Sequence, residues 1–404
     1  MLAFGEFFGE DPARFIGAID ATAAAIRTAR PAAGIHASIH VGADQRVTYE
    51  GEDLPYYFLF KYADPAIVPN VHTVMYYNLF EDAGGAYGHA DFAEHRAYLL
   101  ARMAAGQPAV YYPESAYWIA FDNSVPLFLP LYVRSRWLDL DRLPGLPGHL
   151  AFSSGWDWSY WLHDLASLRG SYALPASPEA LIAEVYAPDL GPDAARLVAE
   201  LAELEASALI TQRLAPYLAG RDALIDAGDT IGIHSQPDRI TFADLVIADP
   251  ATRAAFERDV LGPLATFTAE LERLRDAVHA LTLPTSRWSR ELVDGFDVTA
   301  ARARFVTSCY QTAVAHLANV PALTNEARTR ATVALDAGAA AIARRHADLH
   351  DTDRTRATGR PANVTVYGYG YLHQADSQCY WRRELVQLDD LRAGTSSAIP
   401  HCFL

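Results

Sequence analysis

The sequence is poor in cysteine, with Cys309, Cys379 and Cys402 the three in 404 residues. None sits in a CxxC or Cys/His spacing, which excludes a disulfide framework and a thiolate zinc site, and leaves one bridge or free thiols. Long apolar runs are also missing. The stretch from Val125 to Val133 is interrupted by prolines and falls far short of the roughly 20 residues that cross a bilayer. The opening MLAFGEFFGEDPARF has no basic segment followed by an apolar one, so no secretory signal is read and the default compartment is the cytoplasm. An internal start at Met1 would instead allow a signal upstream and a periplasmic or secreted protein. Positive charge is scarce: 33 basic residues, of which Lys61 is the only lysine, face 49 acidic ones, leaving −16. Phosphate binding is driven by Lys and Arg displacing counterions, so nucleic acid and anionic membrane surfaces are poor partners for this chain. GxSxG, P-loop and GxGxxG motifs are absent as well, as are repeats of fixed period.

What the chain has is apolar bulk: 51% apolar types against 20% charged, enough for a large core spread over roughly two to three domains. Two textures divide it. Up to about residue 166, short apolar runs (Leu2–Phe7, Gly34–Val41, Val71–Phe80, Ala109–Glu114, His149–Ser154) alternate with helix-like stretches at Asp11–Arg30, Leu54–Tyr62, Ala90–Ala105 and Leu127–Leu138. Five strands separated by helices, apolar rather than strictly alternating, predict parallel βαβ units covered on both faces. Residues 167–404 are mainly helical. Ala180–Tyr186, Asp193–Leu218, Pro250–Ala280, Val298–Asn319, Asn325–His350 and Gln374–Leu391 carry helical periodicity, with Ala194, Leu197, Val198, Leu201, Leu204, Ala208 and Leu209 as one stripe. Asn363–Leu372 alternates like a late strand, placing Tyr367, Tyr369, Tyr371 and His373 on one face.

Parallel β/α folds gather function at the carboxyl ends of their strands. Those ends read Gly5-Glu6-Phe7, His36-Ala37-Ser38-Ile39-His40, Tyr76-Tyr77-Asn78, Pro113-Glu114-Ser115 and Ser154-Gly155-Trp156-Asp157-Trp158. Carboxylates therefore stand among dense aromatics, with five of the seven tryptophans between Trp118 and Trp161. Flat rings stack on the C–H faces of a sugar while polar groups take its hydroxyls, and two carboxylates suffice to cleave a glycosidic bond. Aromatics that merely fill the space between sheet and helices, with carboxylates capping helices, are the plainer alternative. His36, His40 and His72 lack the Cys or carboxylate company of a metal site, and His89 and His95 are wrongly spaced for one helical face.

These motifs resemble strands four to eight of a (β/α)8-barrel glycoside hydrolase. FGEFFGED falls at a fourth strand end, VMYYN at a sixth, YYPESAYW at a seventh and SSGWDW at an eighth. The helical region is similar to those trailing the barrels of α-glucuronidases and N-acetylglucosaminidases. The resemblance implies a TIM-barrel-type domain at 1–166, with Glu6 as acid/base and Glu114 as nucleophile. It also implies sugar contacts from Tyr76 or Tyr77 and from Trp156; the residues around the strand ends add His40, Asn78, Trp118, Asp122 and Trp158 as expected contacts, and no cofactor is expected. Gly5 stands where this group usually has asparagine, and strands one to three have no counterpart. An N-terminal segment or a partner chain would then complete the barrel. The partner expected of the site is a carbohydrate; the alternatives are a non-catalytic carbohydrate-binding protein and a structural subunit. At Glu114 a compensating donor is expected, a tyrosine hydroxyl or Arg134 or Arg136. If Glu114 instead caps a helix beginning near Ser115, no such donor is needed.

Overall fold

The computed structural model describes residues 11–41, 46–116, 127–153, 160–219, 239–350 and 379–397. It is a mixed α/β chain whose four parallel strands curl into half a barrel, with helices outside. Helix α1, Pro12–Ala29, starts as its sequence predicts: Asp11 accepts the Arg14 amide at 3.0 Å and Pro12 takes the first turn. Its buried face, Phe15, Ile16, Ile19 and Ala23, shares one apolar cluster with Ala37 and Ile39 of β1, His36–Ile39.

A hairpin follows, β2 Arg46–Tyr49 and β3 Glu52–Pro55, turning on Glu50 (φ 50°) and Gly51 (φ 82°). Two positive φ values make the turn that matches strand twist. The helix predicted at Leu54–Tyr62 is therefore a strand end and a 3-10 segment, Tyr56–Tyr62, whose first five aromatic and aliphatic side chains are buried. Strand β4, Val68–Thr73, pairs with β1 and with β5, Val110–Ala116, which pairs with β6, Phe152–Ser153. The sheet order is β1-β4-β5-β6, each pair parallel. The first predicted strand, Leu2–Phe7, lies outside the described residues, as does the late strand at 363–372.

Helix α2 is Ala93–Ala104 and α3 is Leu131–Arg142, the latter later than predicted because Pro130 disfavours a helical conformation at Leu129 and cannot donate a backbone hydrogen bond. Helix α4, Tyr160–Tyr172, runs through residue 166. Beyond it come α5 Pro178–Leu190, α6 Pro192–Glu205, a π turn at Ala206–Thr211, α7 Ala215–Ala219, α8 Phe242–Ile247, α9 Pro250–Phe256, α10 Gly262–His279, α11 Arg287–Leu317, α12 Pro321–His350 and α13 Cys379–Ala393. The predicted α6 stripe is buried except Leu204, which is partly covered. One apolar cluster runs from Val71 and Tyr111 on the sheet's helix side, through α3 and α4, to α11. Among the described residues, no helix is long and apolar enough to cross a membrane.

Candidate functional site

Partners across a parallel ladder share a face, so the register defines the sheet's concave side. His36 and Ser38 of β1 lie beside Val68 and Asn70 of β4; Asn70 and His72 lie beside Val110 and Tyr112 of β5; Glu114 lies beside Phe152. The opposite face, Ala37, Ile39, Val71, Tyr111 and Ser115, is fully buried beneath helices. Parallel sheets covered on both sides are apolar on both. Here one side carries histidine, asparagine and glutamate, the sort of local departure from the folding pattern that marks a site.

The side chains on that face touch in sequence. His36 Nδ1 donates to Asn70 Oδ1 at 2.9 Å. The His40 ring, one residue past β1, stacks on His72 with centroids 5.0 Å apart. His72 Nδ1 donates to the Tyr112 carbonyl at 2.8 Å, which turns Nε2 toward Glu114 Oε1, 3.5 Å away. Glu114 is 7% exposed, and its Oε2 accepts the backbone N–H of Met75. Burial, then the neighbouring His72, lowers His40 to about 3. His95 of α2 is likewise lowered to about 3 by burial and then by His89, and its Nε2 lies 3.5 Å from the His40 carbonyl. The His40 and His95 rings stay neutral down to acidic pH. Among the described residues no group of three or more His, Cys, Asp or Glu is arranged to hold a metal.

The predicted strand Val71–Phe80 stops at Thr73. Met75 takes φ 50°, a left-handed conformation costly for a residue with a side chain, and the chain leaves the sheet as a loop. That turn aims the Met75 amide at Glu114. Tyr76 and Tyr77 consequently sit in the core, 0% and 2% exposed, with hydroxyls 3.3 Å apart. Burial raises Tyr77 to about 12 and raises Tyr76 as well. Asn78 orders the loop: its Oδ1 accepts the Phe80 and Glu81 amides at 2.9 Å each and its amide donates to Glu81 at 2.7 Å. Burial of Glu81 works against its ionisation, but bidentate bonds from Arg134 at 2.8 and 2.9 Å win and lower its pKa.

The expected donor to Glu114 is thus a backbone amide, with His72 on the other oxygen. Arg134 is engaged by Glu81, and Arg136 reaches the Glu114 carbonyl rather than its carboxylate. Glu114 caps no helix at Ser115, because β5 continues through Ala116. Ser115 points the other way and donates to Asp164 of α4 at 2.5 Å. Glu6, Trp118, Asp122, Trp156 and Trp158 lie outside the described residues, as do Tyr367, Tyr369, Tyr371 and His373. Of the predicted residues, then, His40 and Glu114 stand on the concave face with His72 between them, whereas Tyr76, Tyr77 and Asn78 are buried in the loop that follows β4. Met75 carries no chemical signal in sequence; His72 does, since it shares a period-2 face with Asn70.

Comparison with known protein families, with characterised proteins and with solved structures finds no match to this chain.

Proposed function

We propose that the chain is a retaining glycoside hydrolase, acting on a carbohydrate at the strand-carboxyl end of a (β/α)8-type barrel of which the four described strands are half. The observation that carries this reading is Glu114: a nearly buried carboxylate on the concave face of a parallel strand, oriented by the Met75 amide and by His72. In the proposed reaction Glu114 attacks the anomeric carbon and Glu6 protonates the departing oxygen. Glu6 then takes a proton from the water that releases the glycosyl group from Glu114. His40 and the aromatic residues Trp118, Trp156 and Trp158 are the proposed sugar contacts, with Asp122 on a hydroxyl. Tyr76, Tyr77 and Asn78 act one layer back, fixing the loop that supplies the Met75 amide.

A second reading, a non-catalytic carbohydrate-binding protein, is favoured by the fact that both Glu114 oxygens already have protein partners. Glu114→Gln separates the two, because it preserves shape and removes the nucleophile. The measurement is turnover of a panel of chromogenic aryl glycosides, with sugar binding followed by calorimetry. Under the hydrolase reading, turnover falls by several orders of magnitude in a folded protein. Turnover at the wild-type level in folded Glu114→Gln refutes it, and sugar binding by a wild-type chain that hydrolyses no glycoside establishes the second reading.

A further inference from the structure

Two backbone irregularities meet at Glu114. The β5–β6 ladder slips register between Glu114 and Ala116, and Met75 holds its left-handed φ in the turn that follows β4. Bulges re-aim side chains beside functional sites, and strained turns persist only where their surroundings over-determine them. One side chain reaches both. Arg136 of α3 is wholly buried on the helix side of the sheet. Its Nη1 donates to the Glu114 carbonyl and, at 3.1 Å, to Thr73 Oγ1; its Nη2 donates to the Tyr77 carbonyl. Thr73 and Tyr77 bracket Met75, so a single guanidinium holds both ends of the strained turn and the peptide of the carboxylate it faces.

Asp139, one helical turn on, completes the device. Its Oδ2 lies 3.6 Å from Arg136 and accepts the Tyr111 hydroxyl, and its Oδ1 accepts the Leu79 amide at 2.8 Å. The pair therefore ties β4, β5 and the loop between Tyr77 and Leu79 to one helix. A buried ion pair adds little stability over apolar packing of the same volume, and its best-attested use is to specify one geometry. A guanidinium holds its donors in a rigid planar fork, which the flexible stem of a lysine does not.

We infer that Arg136, backed by Asp139, is the positioning residue of this site, setting the Met75 amide against the Glu114 carboxylate. Its relevance to turnover rests on the hydrolase reading of Glu114; the positioning itself does not. Burial raises Asp139 to about 6 against the opposing pull of Arg136.

The test is Arg136→Lys in the full chain, which keeps the charge and loses the fork. Hydrogen exchange at the Met75–Tyr77 amides is the first readout, with α11 and α12 as internal control. We expect exchange there to rise at least about tenfold while the control helices keep their protection, the signature of local rather than global opening. The second readout is steady-state kinetics on any aryl glycoside the wild type cleaves. Misplacement of a reacting group by about 1 Å costs roughly 100-fold, so kcat falls by that order with KM nearly unchanged. A folded Arg136→Lys protein with wild-type exchange at Met75 overturns the inference; increased exchange without loss of kcat in an active enzyme supports the positioning and overturns its relevance to turnover. If the wild type cleaves no glycoside, the hydrolase reading falls while the exchange result still decides the positioning role. Should Arg136→Lys fail to fold, Asp139→Asn replaces it, with faster Met75 exchange expected and wild-type exchange overturning the proposal.

Discussion

The half-barrel and the helical region each bury an arginine completely, and use it differently. Arg302 of α11 grips Glu384 of α13 through both terminal nitrogens and gives its Nε–H to the Leu218 carbonyl at 2.8 Å. Its charge is answered by a carboxylate, and the product is a docked helix. Arg136 has its carboxylate at 3.6 Å and directs its donors to backbone carbonyls and a hydroxyl around Glu114. The backbones differ to match. Of the five described non-glycine residues with positive φ, Glu50, Met75 and Tyr87 lie between β1 and α2, while Arg213 and Asn319 follow helical segments. Regular helices need few special contacts because their own ladders satisfy them. Strand ends run out of ladder, and there a buried cation can determine where a loop goes.

The sharpest way to break this contrast is to remove the counter-charge in the helical region. Glu384→Gln leaves buried Arg302 without its carboxylate, a loss that costs about 3–5 kcal/mol for a buried pair. Urea unfolding should register that loss while hydrogen exchange at Met75 stays at the wild-type rate. Faster Met75 exchange in this variant would mean that the two arginines serve one connected structure and that the contrast is wrong.

A smaller effect sharpens the comparison through pH. His163 of α4 is buried, with Nε2–H given to the Leu129 carbonyl at 3.0 Å and Nδ1 accepting from the Tyr186 hydroxyl. Burial lowers it to about 3 from 6.5. Between those values the unfolded chain takes a proton that the folded chain refuses, so its contribution to stability is lost as pH falls through the window, at about 1.4 kcal/mol per pH unit. Buried Asp139 pulls the other way between 3.8 and about 6, which makes the whole-protein curve a poor readout. The difference between wild type and His163→Gln isolates the term: the variant's unfolding free energy should decline less steeply below pH 6.5. Equal slopes would show that His163 is protonated in the folded chain.

Legibility in sequence follows the same divide. Helix α1 is readable to its cap because Asp11-Pro12 is a local signal, and the α6 stripe because periodicity is local. The concave face is readable in part: period 2 puts His36, Ser38 and His40 together, as the register has the first two and the stack on His72 has the third. The run through Tyr76 and Tyr77 reads as strand because its side chains are apolar enough to be buried, and they are; only the φ of Met75 takes them out of the sheet. The hairpin at 46–55 carried one cue, Glu50-Gly51 between short polar-apolar stretches, weaker than the apolar content that suggested a helix. Arg136 is expected near Glu114 from the sequence, but as a donor to its carboxylate rather than to its carbonyl, and Asp139 carries no cue. An i,i+3 Arg/Asp pair looks like surface decoration, and nothing local reveals that its acceptors are carbonyls from two other elements.

The smallest effect concerns a helix start, where the two regions should behave alike. Thr241 begins α8 with a reciprocal pair of bonds: its hydroxyl accepts the Asp244 amide at 3.0 Å, and Asp244 accepts the Thr241 amide at 2.8 Å. Asp11 does half of this for α1. Helix α8 has only six residues, too short to hold itself by its own hydrogen bonds, so its start depends on the cap and on Phe242 and Leu245 beneath it. Thr241→Ala removes the first bond and should lower stability by about 1 kcal/mol. Asp11→Ala should cost a similar amount, since both lose one bond at an exposed helix start and neither exposes apolar surface. Matching shifts in urea midpoint would confirm that the two regions differ only where strands end. A markedly larger loss for Asp11→Ala would show that α1 anchors β1, extending the special demands of the half-barrel beyond the surroundings of Glu114.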